Sequence, residues 1–236
     1  MNEILTFVES LIPLIKELRH TTENDRRIAA PIVEAIRNSD LCRMLLDTGT
    51  PPQYTPEEWL SVLETLSGAE ASVSWFIWNN TLPCFWARFL DDAGRARIFG
   101  DSKILFAGST RPTGQAMTTQ GGFRLSGRWS LVSGCELADY ICVAVMWDKV
   151  KNQLPTAEDR AALYSASLYG IAAGRAAVVA MHMAAGTTAL YVGCPLERSI
   201  RDLQTMDRHV GAQPLWLEDS GRVLLGHKPK NPLFMI

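Results

Sequence analysis

The chain of 236 residues sets 23 Lys and Arg against 25 Asp and Glu, a formal charge of −2, with 47% hydrophobic residues. That balance excludes a disordered acidic or basic tail and a basic nucleic-acid binder, and it suffices to bury a sizeable core in one large domain or two small ones. Five cysteines, Cys42, Cys84, Cys135, Cys142 and Cys194, are odd in number and scattered, without a C-x-x-C pair or a histidine cluster at ligand spacing. No structural zinc is expected, and a reducing cytoplasm is the expected compartment.

In chain order, the amino terminus MNEILTFVESLIPLIKELRH lacks a basic n-region and interrupts its apolar run with Glu3, Glu9 and Glu17, unlike a secretory signal. Ile4, Phe7, Val8, Leu11, Leu14, Ile15 and Leu18 step by three and four and predict an amphipathic helix kinked at Pro13. A second helix is expected from Pro31 through Val33 and Ile36 to the break at Asn38-Ser39-Asp40. Thr55-Pro56-Glu57-Glu58 joins a first-turn proline to a capping box, opening a helix through Trp59, Val62 and Leu63 that stops at Ser67-Gly68. Another helix carries Trp75, Phe76 and Trp78, with Phe85 and Trp86 soon after.

From residue 102 the segments KILFAGS, GGFRLSG, RWSLVSG and YICVAVMW are short, Gly- or Ser-bounded and rich in aromatic and β-branched residues, which predicts antiparallel strands. The polar stretch DKVKNQLPTAED, 148–159, reads as a linker into a capped helix. From about Glu158 to Tyr191 a long helix holds eleven alanines between Ala161 and Ala189, so it is expected to be packed nearly all round. The run Ala176 to Leu196 is long enough to span a bilayer, but Arg175, His182, Gly186, Thr187 and Thr188 fit a buried Ala-rich helix better. A last helix from Pro195 places Leu196, Ile200, Leu203 and Val210 on one stripe and Arg198, Asp202, Thr205 and His209 at steps of four, three and four, and a loop and tail follow. The expected fold class is mainly α with a small antiparallel β domain, divided as 1–101, 102–150 and 151–236.

On spacing alone, the polar face of the last helix reads more readily as a solvated surface with intrahelical ion pairs than as a site. The stretch Gly127-Arg128-Trp129-Ser130-Leu131-Val132-Ser133-Gly134 could lay an aromatic surface and a hydroxyl along a planar heterocycle, or form a hairpin edge with a core tryptophan. There is no G-x-G-x-x-G after a strand, no P-loop, no G-x-S-x-G elbow and no convincing carboxylate pair, which disfavours Rossmann and P-loop nucleotide binding.

The order of these segments adds information. Helices with SGAEASVSWFIWN, then GSTRPTGQA, then GGFRLSGRWSLVSGCELADY, then an Ala-rich helix ending CPLERSIRDLQTMDRHV, resemble the acyl-CoA dehydrogenase superfamily in its flavin-dependent monooxygenase branch of two-component oxygenases. The resemblance carries a large internal deletion: after Trp147 the second half of the β domain and the first helices of the C-terminal bundle give way to the linker. It implies a shortened acyl-CoA dehydrogenase-like fold and a cofactor, FMN or FAD, delivered reduced by a separate flavin reductase, since no nicotinamide fingerprint is present.

Residue by residue, the resemblance places Trp129 and Ser133 against the isoalloxazine ring, with Ser133 at the reacting edge, and Thr113-Gly114 in the preceding flavin-side loop. Arg198, Arg201 and Asp202 match a helix motif that contributes to a cofactor site, often across a subunit boundary. His209 matches a histidine that assists the oxygen chemistry or acts as base toward a phenol. Glu70 stands where an aspartate is usual, Asn79 and Asn80 stand where some members carry a histidine, and the glutamate base of the dehydrogenases has no counterpart. The implied activity is hydroxylation of a small aromatic or polycyclic substrate, in a cavity lined by Trp75, Trp78, Phe85 and Trp86. The alternative is a catalytically degenerate relative that serves as a structural or interaction subunit. A homodimer or homotetramer is expected, with no nucleic-acid or membrane partner.

Overall fold

In a computed structural model, residues 3–46, 53–146, 156–231 and 234 are described. The chain divides into two compact units, Met1–Lys149 and Val150–Ile236.

In the first unit, α1 (Glu3–Glu17) runs through Pro13 and buries Ile4, Val8, Leu11 and Ile15, the stripe its periodicity predicts. Helix α2 (Arg19–Asp25) ends where Arg26 turns left-handed at φ 51° and directs its N–H to the carbonyls of Thr22 and Glu23. Helix α3 (Ala30–Arg37) carries Pro31 in its first turn and buries Ile32, Val33 and Ile36. The capping box of α4 (Pro56–Ala69) is formed in both directions between Thr55 and Glu58. Helix α5 (Ala71–Thr81), a 3-10 segment over Leu82–Phe89 and α6 (Asp92–Phe99) complete the helices. The buried faces of α1, α3, α4 and α5 meet in one core with Leu41, Cys42, Met44 and Leu105.

Three strands follow in the order β2-β1-β3: β1 (Phe106–Thr119), β2 (Gly122–Ser126) and β3 (Tyr140–Met146). Asn80 fastens α5 to the start of β1, accepting the Phe106 amide at 2.6 Å and donating to the Phe76 carbonyl. β1 and β2 form an antiparallel hairpin, but β1 and β3 run parallel, so the sheet is mixed where antiparallel pairing was expected. The cause lies in residues 127–139, which carry the chain from β2 across β1 to its other edge, as a parallel pairing requires. Within that crossing, the expected strand RWSLVSG forms only an isolated bridge between Ser133 and Gly108. Leu131 and Gly134 adopt positive φ, 61° and 79°, and break the extended backbone.

In the second unit, α7 (Ala157–Ala184) opens on a capping box between Thr156 and Asp159. It ends earlier than expected, and a 3-10 segment, Gly186–Leu190, begins at Gly186 with φ 57°. Of the linker expected over 148–159, residues up to 155 lie outside the described set. Helix α8 (Pro195–Met206) follows, then α9 (Leu215–Leu224), where only loop and tail were expected. Pro214 heads that helix. Ala161, Leu168, Trp216, Val223 and Phe234 form the core of this unit, with Tyr164 stacked on Trp216 at 4.8 Å. Buried Asp219 accepts the amides of Lys230 and Asn231 and pins the tail.

Within the single chain the long helix, expected to be packed nearly all round, is largely open. Only Arg160, Ala161 and Leu168 of α7 are buried, while Tyr169 and Met183 are 78% and 74% exposed. Alanine gives no dominant stripe, and its small side chain gains little from docking. By length and composition α7 could also cross a membrane, a weak sign that soluble core helices share.

Candidate functional site

The crossing segment meets β1 at two glycines. A Cβ on Gly114 would lie 2.1 Å from the Trp129 ring, and one on Gly127 would lie 2.5 Å from the Gly114 Cα. The indole therefore rests directly on backbone, an approach that side chains would block. Thr113-Gly114, expected in a loop, lies inside β1 at a bulge. There β1 advances from Ser109 to Gly114 while β3 advances only from Val143 to Val145. The Thr113 hydroxyl donates to the Arg128 carbonyl at 2.9 Å, which ties the bulge to the residue before Trp129.

Ser133 is held from the other side. The Trp75 Nε1–H donates to its Oγ at 3.0 Å, and Trp75 itself stacks on Trp78 with centroids 4.9 Å apart and planes 17° from parallel. A Cβ on the next residue, Gly134, would lie 3.1 Å from the Phe76 ring. Gly108, the bridge partner of Ser133, pairs with Cys142, and Gly114, beneath Trp129, pairs with Val145. The two points thus lie three steps apart along β3, about 10 Å along the sheet. That span is comparable with the long axis of a fused three-ring heterocycle. A flat indole at one end and a hydroxyl at the other fit the needs of an isoalloxazine ring, an apolar face and a hydrogen-bonding edge.

The four aromatic residues expected around a cavity divide: Trp75 and Trp78 are stacked and half-buried, whereas Phe85 and Trp86 are exposed. The buried thiols of Cys42 and Cys84 are unsuited to nucleophilic work, because burial pushes both far above the ordinary thiol range.

In the second unit, Arg198, Arg201 and Asp202 share α8, as expected. Arg201 pairs with Glu197 one turn earlier, Nε to Oε1 at 2.6 Å. His209 departs from the expected polar face. The helix ends at Met206, and His209 instead caps the 3-10 turn Val210–Ala212, its Nδ1 accepting the Gly211 amide at 3.1 Å. With Nδ1 accepting, a neutral imidazole carries its hydrogen on Nε2. The residues implied by the resemblance thus form two groups, Thr113, Gly114, Trp129 and Ser133 in the first unit and Arg198, Arg201, Asp202 and His209 in the second. The bond between Trp75 and Ser133 was not foreseen, because 58 residues separate them and no spacing rule reaches that far.

Residues 137–214 match the family described as acyl-CoA dehydrogenase, C-terminal domain. The indole-3-acetate monooxygenase of Acinetobacter baumannii is 27% identical over 128 residues, covering 52% of this chain and 32% of that protein. The FADH(2)-dependent resorcinol hydroxylase, oxygenase component, of Rhizobium sp. is 26% identical over 151 residues, 62% of this chain and 36% of its own length. The chain therefore spans about a third of the length of the curated relatives it matches. Among solved structures, the HsaA monooxygenase from M. tuberculosis superposes with a TM-score of 0.75 at 13% identity, over 99% of both chains. XiaF from Streptomyces sp., in complex with FADH2 and glycerol, gives 0.73 at 17% identity, over 98% of this chain and 96% of its own. The fold is the acyl-CoA dehydrogenase-like one, and the sequence is similar to those of flavin-dependent monooxygenases.

Proposed function

We propose that the chain, as a relative of these flavin-dependent monooxygenases, is the oxygenase component of a two-component system that hydroxylates a small aromatic compound. The observation that carries the reading is the Trp129 ring seated on Gly114 beside the tethered Ser133. A bound reduced flavin, FMN or FAD from a separate reductase, would supply the oxygen chemistry. Trp129 presents its face to the ring, Ser133 donates to its polar edge, and Thr113 and Gly114 set the approach of both. Arg198, Arg201 and Asp202, by the resemblance, contribute from α8 to a cofactor site across a subunit boundary. His209, with its hydrogen on Nε2, is suited to donate to an oxygen rather than to take a proton from a phenol. Indole-3-acetate and resorcinol, named for two relatives, support an aromatic substrate.

Unpaired thiols at all five cysteines suit a reducing cytoplasm. The apolar surface left open on α7 supports a homodimer or homotetramer, and sedimentation showing a stable monomer at micromolar concentration refutes that assembly. Anaerobic titration with reduced FAD and FMN tests the flavin reading, and dissociation constants no tighter than about millimolar, ~4 kcal/mol of binding, overturn it. A second reading is a relative that has kept the fold and lost the catalyst, and Glu70, Asn79 and Asn80, which depart from the residues usual at those places in the family it resembles, favour it. Hydroxylation of an aromatic compound by the purified chain with reductase and flavin excludes it.

A further inference from the structure

We propose that Trp75 is a positioning residue that acts through Ser133, fixing the serine as a hydrogen-bond donor toward the edge of the bound flavin. The inference rests on the flavin reading above and assigns a role to a residue that, by sequence, only lined a cavity.

An indole N–H can only donate, so in the 3.0 Å bond with Trp75 the Ser133 oxygen is the acceptor. The hydroxyl hydrogen is thereby turned away from the indole, and among the described residues no protein group accepts it. Left alone, a half-exposed serine hydroxyl rotates among staggered positions and offers a hydrogen or a lone pair as its surroundings ask. The indole removes that choice.

Both partners are held firmly enough to make the choice lasting. Trp75 stacks on Trp78, three residues along the same face of α5. Phe76, the next residue of α5, lies against Gly134, whose φ of 79° suits a residue without a side chain. The bridge to Gly108 fixes the Ser133 backbone against β1. A donor prepared in this way fits an acceptor that is present in every redox state of a flavin, the ring carbonyl at its reacting edge. Preparing the donor in advance removes the rotational cost that binding would otherwise meet.

The test uses the full chain and its variants Trp75→Phe, Ser133→Ala and the double variant. Trp75→Phe keeps an aromatic ring against Trp78 and removes the N–H. In anaerobic titrations with reduced FAD and FMN, Trp75→Phe should weaken binding about 3- to 10-fold, the effect of one hydrogen bond. The absorption band of the bound flavin should move in the same direction as in Ser133→Ala, and the double variant should bind no more weakly than Ser133→Ala alone. Without flavin, the indole N–H resonance of Trp75 should shift in Ser133→Ala, a reading that decides the matter if Trp75→Phe does not fold. Additive losses in the double variant, an unmoved band in Trp75→Phe, or an indole resonance indifferent to Ser133→Ala overturn the inference and leave the flavin reading standing. A wild-type chain that binds neither flavin overturns both.

Discussion

Helices α1 and α7 are both apolar, yet α1 buries Ile4, Val8, Leu11 and Ile15 in 15 residues while α7 buries Arg160, Ala161 and Leu168 in 28. The difference lies in arrangement and size rather than in composition. Large side chains at steps of three and four give α1 one stripe that a neighbouring helix can cover, and each gains on the order of 1.5–3 kcal/mol from leaving water. Alanines on every side of α7 give no such stripe, and each offers little area. The first unit thus carries a broad core of its own, whereas the second rests on a small cluster around Trp216 and Phe234.

Four measurements break or sharpen this comparison. The largest effect is expected from Phe234→Ala, which removes the ring packed on Tyr164 and Trp216 and should cost about 3–5 kcal/mol. Trp216 sits in the same cluster, so its fluorescence in urea should report the loss; an unchanged midpoint would show that the cluster does not hold the second unit. Ile36→Ala, in the broad core of the first unit, should cost about 2–5 kcal/mol, read from the urea midpoint of the helical circular dichroism. Next come the two capping boxes. Thr55→Ala and Thr156→Ala should each cost about 1 kcal/mol locally. Because α7 has few buried residues to hold it, Thr156→Ala should show as lost helical circular dichroism, and Thr55→Ala as a lower melting temperature with helicity retained.

The smallest effect is a pH dependence with the same sign in both units. At Asp139, burial acts to raise the carboxyl, but the Leu105 amide and the Arg37 guanidinium, 2.7 Å away, outweigh it and hold the group below its ordinary value. At Asp159, the Thr156 hydroxyl and amide lower the carboxyl in the same way. A depressed carboxylate stabilises the fold above its unfolded value, about 3.9, and loses that stabilisation as pH falls through the lower folded value. Asp139→Asn and Asp159→Asn should therefore destabilise at neutral pH and flatten the acid limb of the stability curve, each by a small amount because both groups face solvent.

Local signals in the sequence proved legible where a few neighbouring residues decide the outcome. The stripe of α1, the proline start of α3 and the Thr55 box each depend on contacts within four residues. What the sequence hid depends on distant groups or on single backbone angles. Nothing near Leu131 announces its positive φ, so RWSLVSG read as a strand. The parallel pairing of β1 with β3 depends on where 127–139 crosses, and the donor on Ser133 depends on a helix 58 residues earlier. His209 left its expected face because the helix ended one turn short of it. Of the candidate site, the residue types and their order could be read, while the Gly114 seat and the Trp75 tether could not.

The outermost strand also bears on how the protein behaves when concentrated. All five residues of β2 are exposed, and Phe123 and Leu125, each 55% exposed, alternate with Arg124 along a sheet edge that no described strand covers. Such an edge offers unpaired backbone groups to any other extended chain, with two apolar side chains to reward the encounter. Arg124 is then the gatekeeper, since stacking like strands edge to edge would bring its charges together. Neutralising it would trade solubility for precipitation without disturbing the core.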